Sequence, residues 1–516
     1  MARTIEIMDT TLRDGEQTPG VSFTAIEKLT LAKLLLTDLK VDRIEIASAR
    51  VSAGEYAAVK SIAEWSAANN CLDKIEVLTF LDKGASLNWM LEAGTHAQNL
   101  LTKGSLNHLT HQLRKTPEQH FADVAAIIAS AQENGIQTNV YLEDWSNGMR
   151  NSREYVFDYL DFLVSQPIKR ILLPDTLGIL SPAETFNYLK EIVEKYPDTH
   201  FDFHGHNDYG LSVANVMEAL RAGCHGIHLT VNGMGERAGN APLASCIAVI
   251  KDFMPEIHTN VDEIHLYGSS KTVSSFSGFT IPVNKPVVGA NVFTQTAGIH
   301  ADGDSKHNLY FNDLLPERFD RKRKYALGKT SGKSNITKNL EELGLTLNDE
   351  EVKKVTARIV ELGDQKKVVT TQDLPYIISD VLQSHTYEKK VLVKSYVLMQ
   401  AMGLKPSSTM SIEIDGELYE ESSQGIGKFD AFMNALHKIY KSRNVRLPKL
   451  VNYAARIAPG TRTYAVAETQ ITWKDGTEEF MTRGLDTDET VSAIKATEKM
   501  LNLVFPRELE STISKK

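Results

Sequence analysis

The chain has 516 residues, of which 42% are hydrophobic and 24% charged, and a formal net charge of −9 at pH 7. That length exceeds one ordinary core and predicts a large domain with at least one smaller companion. No apolar run approaches the roughly 20 residues of a membrane span, and the one concentrated basic stretch, Arg318 to Lys324, is interrupted by Phe319 and Asp320, so membrane and nucleic-acid partners have no support.

The alternating run Thr4-Ile5-Glu6-Ile7-Met8 reads as a strand almost at the N-terminus, which leaves no stretch for a cleaved leader. Between residues 4 and 233 eight short β-type runs follow one another: IEIMDTT, RIEIAS, IEVLTF, AQNLLT, TNVYLED, RILLPDT, FDFHGH and GIHLTVN. The stretches between most of them carry apolar residues at helical spacing, as in Ile26, Leu29, Leu34 and Leu35, or Phe121, Val124, Ile127 and Ile128. Eight such units in roughly 230 residues predict an α/β fold of the (β/α)8 TIM-barrel type rather than a doubly wound sheet. The barrel is assigned to residues 1–270, with chemistry at the C-terminal strand ends.

From about Ala248 the pattern is less regular, with Gly/Ser-rich pieces at Ser274 to Gly278 and Gly328 to Asn335, and residues 271–389 read as linker and small helical subdomains. The segment 390–516 repeats itself: IDGELYEESSQGIGKFDAFMNAL near 414–436 echoes KDGTEEFMTRGLDTDETVSAI near 474–494, and Gly425 and Gly484 stand 59 apart. Each half reads as strands, a Gly-containing loop and a helix, which predicts a duplicated α+β module. The cysteines, Cys71, Cys224 and Cys246, are odd in number and far apart, which excludes a full disulfide framework and a CxxC-type zinc site and predicts a reducing, cytoplasmic location.

His204 and His206 end the seventh strand in HGHND; alternate strand positions face one side, so the two imidazoles are presented together, as ligands or as a bystander pair. Asp14 follows strand one, which neighbours strand eight in a closed barrel, and Asn240 follows strand eight in NGMGERAGN; both can reach an ion held by the histidines. The mixed nitrogen and oxygen set suits a divalent cation (Mg, Mn or Zn) acting as a Lewis acid. Arg13 places a permanent positive charge beside it, or makes a surface salt bridge. At the end of strand five Tyr141 and Glu143 share a face, and Thr176 after strand six reads equally as a carboxylate-binding hydroxyl or a turn former. The glycines of NGMGERAGN lack the strand–GxGxxG–helix setting of dinucleotide binding and fit a close backbone approach at the barrel rim.

TLRDGEQ at 11–17, HGHND at 204–208 and GMGERAGN at 233–240, followed by QTAGIHADG at 295–303 and YALGKTSGK at 325–333, resemble the 2-isopropylmalate/homocitrate/citramalate synthase family, of the DRE-TIM metallolyase type, over essentially the whole chain. The resemblance implies condensation of acetyl-CoA with a short 2-oxo acid. It also implies metal ligation by Asp14, His204, His206 and Asn240, with Arg13 as the oxyanion-side cation and Glu143 and Thr176 in the site. His300 and Tyr310 are then expected to reach a neighbouring subunit's site in an intertwined homodimer. The general base stays open between Glu143 and a His300-centred relay.

The acceptor is expected to be read by Leu78, Leu101 and Tyr141, pointing inward from strands three to five. Isopropylmalate synthases usually carry His in place of Leu78 and an FSxED motif in place of YLEDWSNG; these differences, with LLTKGSLNHL, are similar to citramalate synthases that use pyruvate. The resemblance further implies that residues 390–516 are a regulatory and dimerisation domain, with isoleucine as effector. A lyase sharing the barrel and a non-catalytic amino-acid sensor are the competing classes. The duplicated module speaks against the first, and the joint presence of Arg13, Asp14, His204, His206 and Glu143 against the second.

Overall fold

In the computed structural model, which describes residues 3–304, 306, 309–364, 369–382, 390–457, 467–476 and 478–513, every one of the eight predicted runs carries a parallel strand. These are β1 (Glu6–Asp9), β2 (Arg43–Ser48), β3 (Ile75–Phe80), β4 (Ala97–Lys103), β5 (Gln137–Glu143), β6 (Arg170–Asp175), β7 (Phe201–Gly205) and β8 (Gly226–Leu229). They pair in sequence order, and β1 closes the barrel by pairing β8 with Glu6 opposite Gly226. The helices between them start where the sequence supplies caps. Thr24 with Glu27, Thr116 with Gln119 and Ser181 with Glu184 each form a reciprocal capping box, the last two with proline in the first turn.

Strand alternation divides the barrel residues between two environments. One parity, including Ile7, Ile44, Ile46, Val77, Leu100, Val140, Ile171, Leu173, Phe203 and Ile227, packs outward under the helices as the main apolar core. The other parity fills the interior, and much of it is polar. At the N-terminal end of the strands, Arg43 pairs with Glu6 (2.9 Å), Glu76 (2.9 Å) and Asp202, while Arg170 grips both Glu6 oxygens (2.9 and 3.0 Å). Above that layer Met8, Leu78, Tyr141 and Leu172 form a separate apolar cluster, with Phe80 and Leu101 packed against it.

Two pieces assigned to the irregular region are helical. Residues from Ala248 belong to α1 (Leu243–Phe253), whose Leu243, Cys246, Ile247 and Ile250 are buried. Ser274 to Ser277 complete α2 (Leu266–Ser277), where Ser277 Oγ bonds back to the Val273 carbonyl and Gly278 caps the end at φ +68. Serine satisfies its hydroxyl on the helix itself, so a serine-rich stretch need not be a linker.

By contacts the chain divides into two units, Met1–Phe293 with Phe311–Arg323, and Thr294–Tyr310 with Lys324–Lys516. In the second unit, α3 (Lys333–Glu342), α4 (Asp349–Asp364) and α5 (Leu374–Leu382) enclose a small core of Ile336, Leu340, Val355, Ile359 and Leu374. The repeat follows as two antiparallel three-stranded sheets, β9 (Val391–Met399), β10 (Ser407–Ile414), β11 (Glu417–Gln424) and β12 (Lys449–Ile457), β13 (Ala467–Asp475), β14 (Glu478–Asp486). Each is followed by a helix, α6 (Lys428–Ser442) and α7 (Glu489–Ile513), and both halves share one core around Ile412, Phe432, Leu436, Trp473 and Leu501. No helix among the described residues is long and apolar enough to cross a membrane, and the three cysteines are free.

The repeated glycines mark the points where each helix lies on its sheet. A Cβ on Gly484 would run into the Ser492 carbonyl and come within 2.8 Å of the Ala496 nitrogen, and one on Gly425 would strike the backbone at Ala431. We expect Gly484→Ala to cost the second unit about 1–3 kcal/mol through overpacking, whereas Gly328→Ala, where a Cβ meets open space, changes stability by less than about 0.5 kcal/mol. Denaturant unfolding of both variants checks this.

Candidate active site

The site begins in the turn after β1. The Thr10 carbonyl accepts the N–H groups of Arg13, Asp14 and Gly15 at 3.2, 2.9 and 3.1 Å, which folds TLRDGEQ back over the strand end. Lys28, 1% exposed, pins this turn from below: its ammonium donates to the Leu12 and Ile46 carbonyls (2.9 and 3.2 Å) and pairs with Glu16 (2.6 Å) and Glu55 (2.5 Å). Burial pushes the Glu55 carboxyl up to about 7 against the pull of Lys28.

Asp14 lies 2% exposed, with Oδ2 3.4 Å from His204 Nε2 and 3.8 Å from His206 Nε2. The ligand atoms of all three residues fall within 4.8 Å of one another, the spacing at which one ion can be shared. Burial alone would raise the Asp14 carboxyl, but the Arg13 guanidinium beside it, with the Asn240 amide, outweighs burial and holds it below the usual carboxylate range. Burial lowers both imidazoles, to well below the usual range for His204, so they stand neutral, the form that binds a metal.

Asn240 joins the group through an isolated bridge between its backbone and that of His206. Its Nδ2 donates to Asp14 Oδ1 (3.0 Å) and the Met234 carbonyl (2.9 Å), and its Oδ1 is buried with no partner among the described residues. The Nδ1 atoms of His204 and His206 are likewise buried and unpartnered. Gly235, at φ +144, makes the approach possible: a Cβ there would collide with Asn240 Nδ2. A carboxylate held ionised, two neutral imidazoles and an orphaned amide oxygen fit a divalent cation.

Arg13 is held on three sides. Its Nε donates to Glu45 at 2.6 Å, Nη1 to Asp14 at 3.1 Å and Nη2 to the Tyr141 hydroxyl at 3.4 Å. Glu45 is fully buried and also takes Thr10 Oγ1 and Asn99 Nδ2, both at 2.8 Å. Arg13 is thus an interior cation and not a surface salt bridge. Leu78, Leu101 and Tyr141 come together in the apolar cluster with Met8, Phe80 and Leu172.

Glu143 pairs with Lys103 of the adjacent strand and borders a cleft of about 360 Å³ lined by Asn107, His108, His111 and Gln112. The Thr176 hydroxyl accepts the Asp144 backbone N–H at 2.9 Å, a bond between the ends of β5 and β6 that leaves its own proton free to donate. His300 and Tyr310 belong to the second unit, where their rings pack with centroids 4.3 Å apart. Sequence reasoning passed over Glu45, Lys103, Asp202 and His228. The signal was present: a charged or polar residue inside an apolar strand, in phase with the ligand histidines.

Family models match three successive stretches of the chain: HMGL-like over residues 4–273, homocitrate synthase post-HMGL domain-like over 287–367, and LeuA allosteric (dimerisation) domain over 368–505. The (R)-citramalate synthase of Methanocaldococcus jannaschii is 31% identical over 503 residues, 97% of this chain and 99% of that protein. The 2-isopropylmalate synthases of Methylorubrum populi and Aquifex aeolicus are 33% and 30% identical, spanning 96% and 98% of this chain and 95% and 97% of theirs. With an HMGL-like barrel over half its length and relatives matched nearly end to end, the chain belongs to the 2-isopropylmalate/homocitrate/citramalate synthase family of acetyl-CoA-dependent 2-oxo acid synthases.

Proposed function

We propose that the protein condenses acetyl-CoA with pyruvate and water to give (R)-citramalate and CoA, a step toward isoleucine, in the cytoplasm. The observation that carries the acceptor choice is the cluster of Met8, Leu78, Tyr141 and Leu172 beneath Arg13, with Phe80 and Leu101 against it. Bulky side chains at those inward positions, with Tyr141 reaching the guanidinium itself, would suit a methyl group better than an isopropyl group. The kinship with 2-isopropylmalate synthases favours the second reading, in which 2-oxoisovalerate is the acceptor.

Asp14, His204, His206 and Asn240 would hold the divalent cation, which when bound supplies Lewis-acid polarisation of the acceptor's keto oxygen. Arg13, aimed by Glu45 and Tyr141, faces the same oxygen as it gains negative charge. Thr176 offers its free hydroxyl proton to the acceptor carboxylate. A base, Glu143 or a relay through His300, removes a methyl proton from acetyl-CoA; the carbanion's electron pair forms the bond to C2, and the alkoxide takes up a proton. Water then cleaves the thioester, releasing CoA as thiol. Glu143 meets Lys103 beside the cleft where the acetyl donor would lie. The second unit would form the homodimer and bind isoleucine as inhibitor, in line with the LeuA allosteric (dimerisation) model it matches.

Thiol release measured with a panel of 2-oxo acids, with and without isoleucine, tests the reading. Pyruvate should show the highest kcat/KM, and a preference for 2-oxoisovalerate would transfer the protein to the second reading. Exhaustive chelation should abolish thiol release and re-addition of a divalent ion restore it; full activity in the chelated protein would remove the metal role. Arg13→Lys should lower kcat roughly 100-fold, because a point charge replaces a planar donor held on three sides, while pyruvate KM changes little; steady-state kinetics on the variant checks it.

A further inference from the structure

Below the Arg13 turn a line of hydrogen bonds crosses the barrel interior from β7 through β8 to β5. Asp202, 0% exposed, takes His228 Nε2 on Oδ2 at 3.1 Å, shares that oxygen with Arg43, and takes His200 on Oδ1 at 2.8 Å. His228, 1% exposed, places Nδ1 2.8 Å from the Tyr141 hydroxyl. That hydroxyl in turn lies 3.4 Å from Arg13 Nη2.

Donors and acceptors along this line follow from which groups lack a choice. Arg13 has only protons to give, so the Tyr141 oxygen accepts from it. The tyrosine's own proton then needs an acceptor, and His228 Nδ1 stands in place to be one. An imidazole that accepts on Nδ1 carries its proton on Nε2, and the Asp202 carboxylate is there to receive it. Each bond fixes the sense of the next, from a buried carboxylate to the guanidinium beside Asp14.

We infer that His228 is a positioning residue: with Asp202 behind it, it turns the lone pairs of the Tyr141 hydroxyl toward Arg13, so that Tyr141 and Glu45 together hold the guanidinium in one orientation. Tyr141 then has two duties, a wall of the acceptor pocket and an anchor for the cation above it. The inference rests on the proposed reaction only for what Arg13 faces. A misaimed guanidinium weakens the developing alkoxide's stabilisation more than it weakens ground-state binding, so the loss falls on kcat.

The experiment is a double-mutant cycle with Tyr141→Phe and His228→Leu, read as thiol release at saturating metal. Each single variant should lower kcat about 10- to 100-fold with pyruvate KM within about threefold. The double variant should be no worse than about threefold below the weaker single, because both remove the same anchor. Losses that multiply, or Tyr141→Phe at wild-type kcat, overturn the inference. If His228→Leu does not fold, His228→Gln, whose terminal amide falls near the place of Nε2 and can still donate to Asp202 but puts no acceptor in the place of Nδ1 beside Tyr141, takes its place. Imidazole nitrogen NMR of the metal-free wild type gives a readout independent of activity: a protonated Nε2 and bare Nδ1 on His228 support the inference, and a proton on Nδ1 overturns it. If wild type releases no thiol with any 2-oxo acid, the proposed reaction fails, while the NMR result still decides the orientation of the chain.

Discussion

Arg43 sits in the floor of the barrel with its side chain almost wholly buried, and the interior is organised around satisfying it. A guanidinium removed from water is costly unless every face meets a carboxylate. Glu6, Glu76 and Asp202 come from β1, β3 and β7 to meet it, and Arg170 from β6 shares Glu6. A slip of one residue in any of these strands would turn its charge outward into the apolar layer beneath the helices. The pairing therefore stabilises the fold less than it specifies it, by making alternative registers expensive.

The same register delivers the chemistry. Asp202, His204 and His206 follow one another along one inward face of β7 and its extension, so the floor, the middle and the mouth of the barrel are set by a single strand. At the mouth the balance of charge is different. Asp14 stays ionised because Arg13, with the Asn240 amide, overcomes its burial, while the histidines stay neutral because burial overcomes Asp14. A site with the donors deprotonated before any ligand arrives has no proton to expel on binding one.

The barrel was legible because its strands are short, apolar and regularly spaced, and because the stretches between them carry apolar residues at helical spacing, as in Phe121, Val124, Ile127 and Ile128. Leu78, Leu101 and Tyr141 were also legible, since strand phase alone aims them inward. The interior charge layer was not, although Glu45 and Asp202 stand in plain view inside RIEIAS and FDFHGH. An apolar-run reading treats such a residue as a blemish in a strand, whereas in a closed barrel its phase places it among partners from strands far apart in sequence. Thr176 shows the opposite limit: its hydroxyl takes the Asp144 backbone N–H from the end of the neighbouring strand, a long-range bond that local spacing does not reveal. The serine-rich end of α2 escaped recognition because composition carries no information about hydroxyls that bond back to their own helix.

The turn that carries Arg13 and Asp14 is a loop by chain geometry, yet Lys28 ties it to Leu12, Ile46, Glu16 and Glu55 from beneath. Loops at barrel mouths commonly order themselves when a ligand arrives, and that lost freedom weakens affinity. Here the backbone of residues 10–17 surrenders its conformational entropy during folding, when the buried ammonium finds its four oxygens. The free energy of a ligand meeting this turn is then spent on contact and charge alone, with no portion diverted to bringing the chain to order.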